Sequence, residues 1–88
     1  MPKATVPITN EKGMHARAAA LFAREASLHP AGIFVGRDGL EVNGKSIMGL
    51  MMLAAGQGSK IVISAHGADA EQALDGLGAL IGSGFEEE

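Results

Sequence analysis

This sequence contains no cysteine, so its fold must stand on packing alone, without a disulfide or a thiolate metal site. For 88 residues that is a tight constraint. A chain this short has material for one two-layer core, and residues 1–88 are read as a single domain. Three Phe and no Trp or Tyr leave that core to Leu, Ile, Val, Ala and Met. Nearly half the chain is apolar and no segment is low-complexity, which excludes a disordered chain.

The apolar pattern switches between two periods. Residues 3–9 alternate, with Ala4, Val6 and Ile8 on one face and Lys3, Thr5 and Thr9 on the other, which predicts a half-buried strand. Pro7 lacks a ladder donor and places that strand at a sheet edge. From Ala16 to about Leu28, Ala19, Phe22, Ala23 and Ala26 fall on one helical stripe, stopped by Pro30 and Gly32. Ile33–Val35 and Leu40–Val42 flank Gly36-Arg37-Asp38-Gly39 as a hairpin. Ser46 is a favoured N-cap for a second helix ending at Gly56 and Gly58. Lys60–His66 is an Ile/Val-rich central strand. Asp69 and Gln72 have capping-box spacing for a last helix, with Ala70, Ala73, Leu74, Leu77 and Ile81 as its stripe. Gly76 and Gly78 inside it cost roughly 1 kcal/mol each against Ala, which close packing on the sheet would explain. The order β-α-β-β-α-β-α predicts an α+β two-layer sandwich.

Charge and composition exclude several functions. The net charge is −3 and the Lys and Arg residues are scattered, whereas nucleic acid binding needs a basic footprint. No apolar leader or long apolar run predicts a signal peptide or membrane span, so a cytoplasmic protein without membrane association is expected. Glu86-Glu87-Glu88 reads as a solvated terminus. His29 and His66 have no ligand-spaced partners; they are expected at loops or edges, with no metal and no cofactor.

The chemistry concentrates in Gly13-Met14-His15-Ala16-Arg17. His15 falls at the start of the first helix, where outward backbone N–H groups and the positive dipole end favour a neutral, nucleophilic imidazole and would hold an anion attached to it. Arg17 offers a planar fork for phosphate oxygens, and Gly13 lets the backbone approach. Taken alone, the string fits a surface histidine ahead of a helix better than a phosphoryl site.

The second helix adds to it. Leu50 and Leu53 point one way, while Ile47, Met48 and Met51 cover an adjacent arc. In so small a domain that arc is either core filling or an exposed docking patch, and flexible methionine suits docking. Gly39–Ser46 matches the nucleotide-binding string G-x-x-x-x-G-K-S, but it overlaps a hairpin strand in a chain too short for such a domain, so a small nucleotide hydrolase is rejected.

These residues resemble the HPr phosphocarriers of the phosphoenolpyruvate-dependent phosphotransferase system over nearly the full length. Residues 13–17 are similar to the family's active-site motif, and Asn43–Leu53 to its regulatory serine motif and docking helix. The resemblance implies a monomeric open-faced sandwich with a four-stranded antiparallel sheet, order 1-4-2-3, and three helices on one face. It implies a carrier rather than an enzyme. Enzyme I would pass a phosphoryl group to Nδ1 of His15, Arg17 would stabilise it, and an EIIA-type protein would take it. Ile47, Met48 and Met51 would dock both partners, and Ser46 would be a regulatory site for an HPr kinase/phosphorylase. Ala18 replaces the family's usual Pro and leaves the helix start less rigid. With the Ser83-Gly84-Phe85-acidic ending, it resembles the nitrogen-type (NPr-like) branch. The alternative is a regulatory binding module that works through the Ile47/Met48/Met51 patch without obligatory phosphotransfer.

Overall fold

A computed structural model describes residues 2–86 of the chain. In chain order the elements are β1 (Lys3–Pro7), α1 (Ala16–Ser27), β2 (Gly32–Arg37), β3 (Leu40–Asn43), α2 (Ile47–Met52), β4 (Lys60–His66) and α3 (Ala70–Gly82). The strands form one antiparallel sheet in the order β1-β4-β2-β3. This is the expected α+β topology, with Pro7 on an edge strand and β4 inside the sheet. Ile61 and Ile63 of β4 are fully buried beside Ile33 and Val35 of β2. Over them lie Phe22 of α1, Leu50 of α2, and Leu77 and Ile81 of α3, so all three helices cover one face.

Several boundaries differ from the pattern reading, each for a local reason. β1 stops at Pro7: the Ile8 N–H still donates in register to the Ser59 carbonyl at 2.8 Å, but the return bond to the Ile8 carbonyl comes from Gly58 rather than Ser59, so the regular pairing ends. The hairpin turn is tighter than a four-residue loop: Gly36 and Arg37 stay in β2, and Asp38 (φ +52) with Gly39 (φ +85) makes a two-residue type I′ turn. α2 ends at Met52 with Leu53 as C-cap, well before Gly56, and Ala54 then turns left-handed at φ +52.

The capping box on α3 does not form. Asp69 sits at the N-cap but makes no capping hydrogen bond; its carboxylate instead accepts from the Ala31 N–H at 3.1 Å and lies 2.8 Å from His29 Nδ1. Nor do the α3 glycines pack on the sheet. A Cβ on Gly76 would fall 2.6 Å from Glu25 Oε2 on α1, and one on Gly78 would meet open space. At the C-terminal end Phe85 is fully buried and Glu86 is exposed; Glu87 and Glu88 lie outside the described residues.

Candidate functional site

The loop from Asn10 to Met14 is stitched both to itself and to the segment after α2. The Gly13 N–H donates to the Asn10 carbonyl at 3.1 Å, closing a turn, and the Met14 N–H donates to Ala55 O at 2.8 Å. Met14 is buried and anchors the loop. Gly13 adopts φ +65, and a Cβ there would lie 2.5 Å from Ala55 O and 2.7 Å from Gly56 Cα. Both the left-handed backbone and the close approach therefore require glycine.

That anchored loop delivers His15 to the N-cap of α1 in extended conformation (φ −81°, ψ −178°). Its carbonyl accepts from Ala19 N at 2.8 Å, while its side chain makes no capping hydrogen bond. The half-buried imidazole thus stands at the positive end of the helix, and no acidic residue occupies the first turn. Its Nδ1 lies 3.1 Å from the Gly13 carbonyl oxygen.

Arg17 is exposed one turn-step further on and lines the same surface cleft of about 750 Å³ as His15. Lys12, Asn10, Ser83 and Glu86 share that cleft. Lys12 adds a second cation that the sequence reading did not single out. Ala18, where the family usually has Pro, is fully buried in the first helical turn.

Ser46 is the N-cap of α2 as expected, and its Oγ accepts from the Gly49 N–H at 3.1 Å. On α2 the two faces separate as the helical arc predicts: Leu50 and Leu53 are buried, whereas Ile47, Met48 and Met51 are exposed. Met48, at 77 %, is the most exposed large apolar side chain of the described residues, and Met52 extends the patch. Because Ala55 and Gly56, a few residues after α2, touch the Gly13 loop, the patch and His15 belong to one end of the molecule.

The nucleotide-binding string forms no phosphate cradle. Gly39 is in the hairpin turn, residues 40–43 are β3, and Gly44 is pressed against Ile33. The Lys45 Nζ donates to the His29 carbonyl at 2.8 Å.

His29 lies in the loop between α1 and β2, as expected. What the sequence did not signal is that its side chain is only 16 % exposed and is held between two carboxylates. Nδ1 lies 2.8 Å from Asp69 Oδ2, and Nε2 lies 3.3 Å from Glu25 Oε2. The hydrogen bond to Asp69 raises its pKa above the ordinary 6.5; burial opposes this, and Glu25 adds to it. His66 ends β4 and packs edge-to-face on Phe34, ring centroids 5.4 Å apart. Among the described residues no His, Cys, Asp and Glu group could hold a metal ion, and no helix is long and apolar enough to cross a membrane.

A half-exposed imidazole at a helix N-terminus, in a cleft lined by two cations, has what a transient covalent anion needs: a nucleophilic nitrogen and countercharge for the oxygens that come with it. The family described as PTS HPr component phosphorylation site matches residues 2–83. The chain is 44 % identical over 87 residues to the phosphocarrier protein HPr of Neisseria meningitidis, covering 99 % of this chain and 98 % of that one. It is 41 % identical over 81 residues to the HPr-like protein Crh of Bacillus subtilis, covering 92 % and 95 %. The crystal structure of HPr-C-His from Thermoanaerobacter tengcongensis superposes with a TM-score of 0.96 at 46 % identity, over 100 % of this chain and 99 % of that one. Matches of this identity and coverage make the chain a phosphoryl carrier and not an enzyme, and it belongs to the HPr phosphocarrier family of the phosphoenolpyruvate-dependent phosphotransferase system.

Proposed function

We propose that His15 is the phosphoryl acceptor, charged by phosphorylated Enzyme I and discharged to an EIIA-type protein in the cytoplasm, with residues 1–88 acting as a single domain. The observation that carries this reading is the placement of His15 as N-cap of α1 within the cleft that Arg17 also lines. In the transfer, an imidazole nitrogen donates its lone pair to phosphorus as the bond to the donor breaks. Arg17 neutralises the oxygens of the transferred group, and Lys12 adds positive charge at the cleft. Ile47, Met48 and Met51 supply the apolar surface on which donor and acceptor dock in turn, since the same small site must serve both.

Ser46 serves as a regulatory phosphorylation site for an HPr kinase/phosphorylase. Its Oγ already faces the Gly49 N–H, so a phosphate there is tolerated by the helix end while placing negative charge beside the docking patch. The Gly13-Met14-His15-Ala16-Arg17 string with Ala18 supports an acceptor of the nitrogen-regulatory type.

The test is intact-mass spectrometry after incubation with Enzyme I and phosphoenolpyruvate. One added phosphoryl mass that brief acid removes is the expected result; an acid-stable adduct, or none with an Enzyme I active on another carrier, contradicts it. The second reading, a binding module using the Ile47/Met48/Met51 patch, is favoured by the exposure of Met48. It predicts equal partner binding and equal regulatory output from His15→Ala.

A further inference from the structure

Three donors converge on one carbonyl oxygen beside His15. The Gly13 oxygen receives Asn10 Nδ2 at 2.8 Å, the His15 backbone N–H at 2.9 Å, and faces His15 Nδ1 at 3.1 Å. A carbonyl oxygen has two lone-pair sites, so three donors share it unequally, and the ring nitrogen holds the longest contact. The backbone donor cannot leave without undoing the helix start. The Asn10 amide is confined as well, because the residue is 6 % exposed and its own carbonyl closes the Gly13 turn. Only the ring is placed to let go.

Whether it lets go decides its chemistry. The Nδ1 contact to an oxygen acceptor is a hydrogen bond only while the proton sits on Nδ1, and a protonated ring nitrogen has no lone pair for phosphorus. Transfer to Nδ1 therefore needs the neutral tautomer with the proton on Nε2. The Nδ1 lone pair then forms the new P–N bond, the bond from phosphorus to the donor breaks, and the donor keeps that electron pair. The Nε2 proton stays in place throughout.

We infer that Asn10 is a positioning residue for His15. By filling the Gly13 oxygen with its own amide donor, it weakens that oxygen's hold on the ring and eases the turn of Nδ1 from that oxygen to phosphorus. The Gly13 carbonyl also stays satisfied when the ring departs, so no buried acceptor is stranded. This inference rests on the reading of His15 Nδ1 as the acceptor.

The experiment compares the full chain with Asn10→Ala and with Asn10→Asp, an isosteric change that removes the donor and keeps the shape. Nitrogen-15 NMR of the histidine rings, at about pH 8 where free imidazole is neutral, reads the tautomer before any phosphoryl donor is added. Phosphoryl uptake from Enzyme I is then timed on the same samples. The expected result in the folded variants is a shift of His15 toward Nδ1–H by about threefold to tenfold, with uptake slowed by a similar factor. An unchanged tautomer, or a shifted tautomer with unchanged uptake, overturns the inference. If the tautomer shifts but even the unsubstituted chain takes up no phosphoryl group, it is the assignment of His15 as acceptor that fails.

Discussion

His15 and His29 stand at opposite ends of α1, and the helix treats them oppositely. His15 is the N-cap, at the positive end of the dipole, with no acidic residue in the first turn. His29 follows the C-cap Leu28, at the negative end, and two carboxylates close on its ring. One end is arranged to receive an anion and the other to keep a cation. The difference teaches that imidazole chemistry here is set by what the helix ends and their neighbours present. His29 fastens α1, the start of β2 and the start of α3 together, since Asp69 holds both its ring and the Ala31 N–H.

The largest expected effect breaks the comparison at its functional end. His15→Ala abolishes phosphoryl uptake in a transfer assay while leaving the thermal midpoint nearly unchanged, because the side chain is half-exposed and its contact with the Gly13 oxygen is backed by the Asn10 amide. Arg17→Ala comes next, slowing uptake by about thirtyfold, the equivalent of roughly 2 kcal/mol of charge-assisted hydrogen bonding. Steady-state kinetics with Enzyme I would measure it.

Breaking the structural end has the opposite signature. His29→Ala costs about 2 kcal/mol in denaturant unfolding and leaves phosphoryl uptake intact. Its pH dependence has a definite sign. The native pKa is raised above 6.5, so the stabilisation is fully present below pH 6.5 and is lost as pH rises through the native value. Unfolding curves of the unsubstituted chain should weaken over that range, and those of His29→Ala should not follow.

The smallest effects sharpen the account of α3. Gly78→Ala meets open space and stabilises by about 1 kcal/mol through helix propensity. Gly76→Ala gains less, because its Cβ must push the Glu25 carboxylate away from His29. Thermal melts of the two variants measure the difference.

Much of the fold was legible because its signals are local. Alternation along β1, Pro7 at an edge, the Ser46 cap and the α1 stripe each depend on residues a few positions apart. The proposed site was legible for the same reason, since His15 and Arg17 share five consecutive residues with Gly13. What escaped depends on distant partners. Asp69 has the spacing of a capping residue, yet a histidine 40 positions away takes its carboxylate. Gly76 gave no hint that it makes room for Glu25, and His29, in the loop where it was expected, gave no sign of the two carboxylates that hold it. Asn10 was not singled out, because its amide's role depends on how Gly13 presents its oxygen. The early end of α2 followed from the left-handed turn at Ala54, a residue type that seldom adopts it.

The most direct test of which histidine carries the phosphoryl group is nitrogen-15 NMR of the three imidazole rings, before and after loading by Enzyme I and phosphoenolpyruvate. The account predicts phosphorus–nitrogen coupling at Nδ1 of His15, with the ring signals of His29 and His66 essentially unmoved. Coupling at His29 or His66, or a loaded protein with no coupling at any ring, would contradict it.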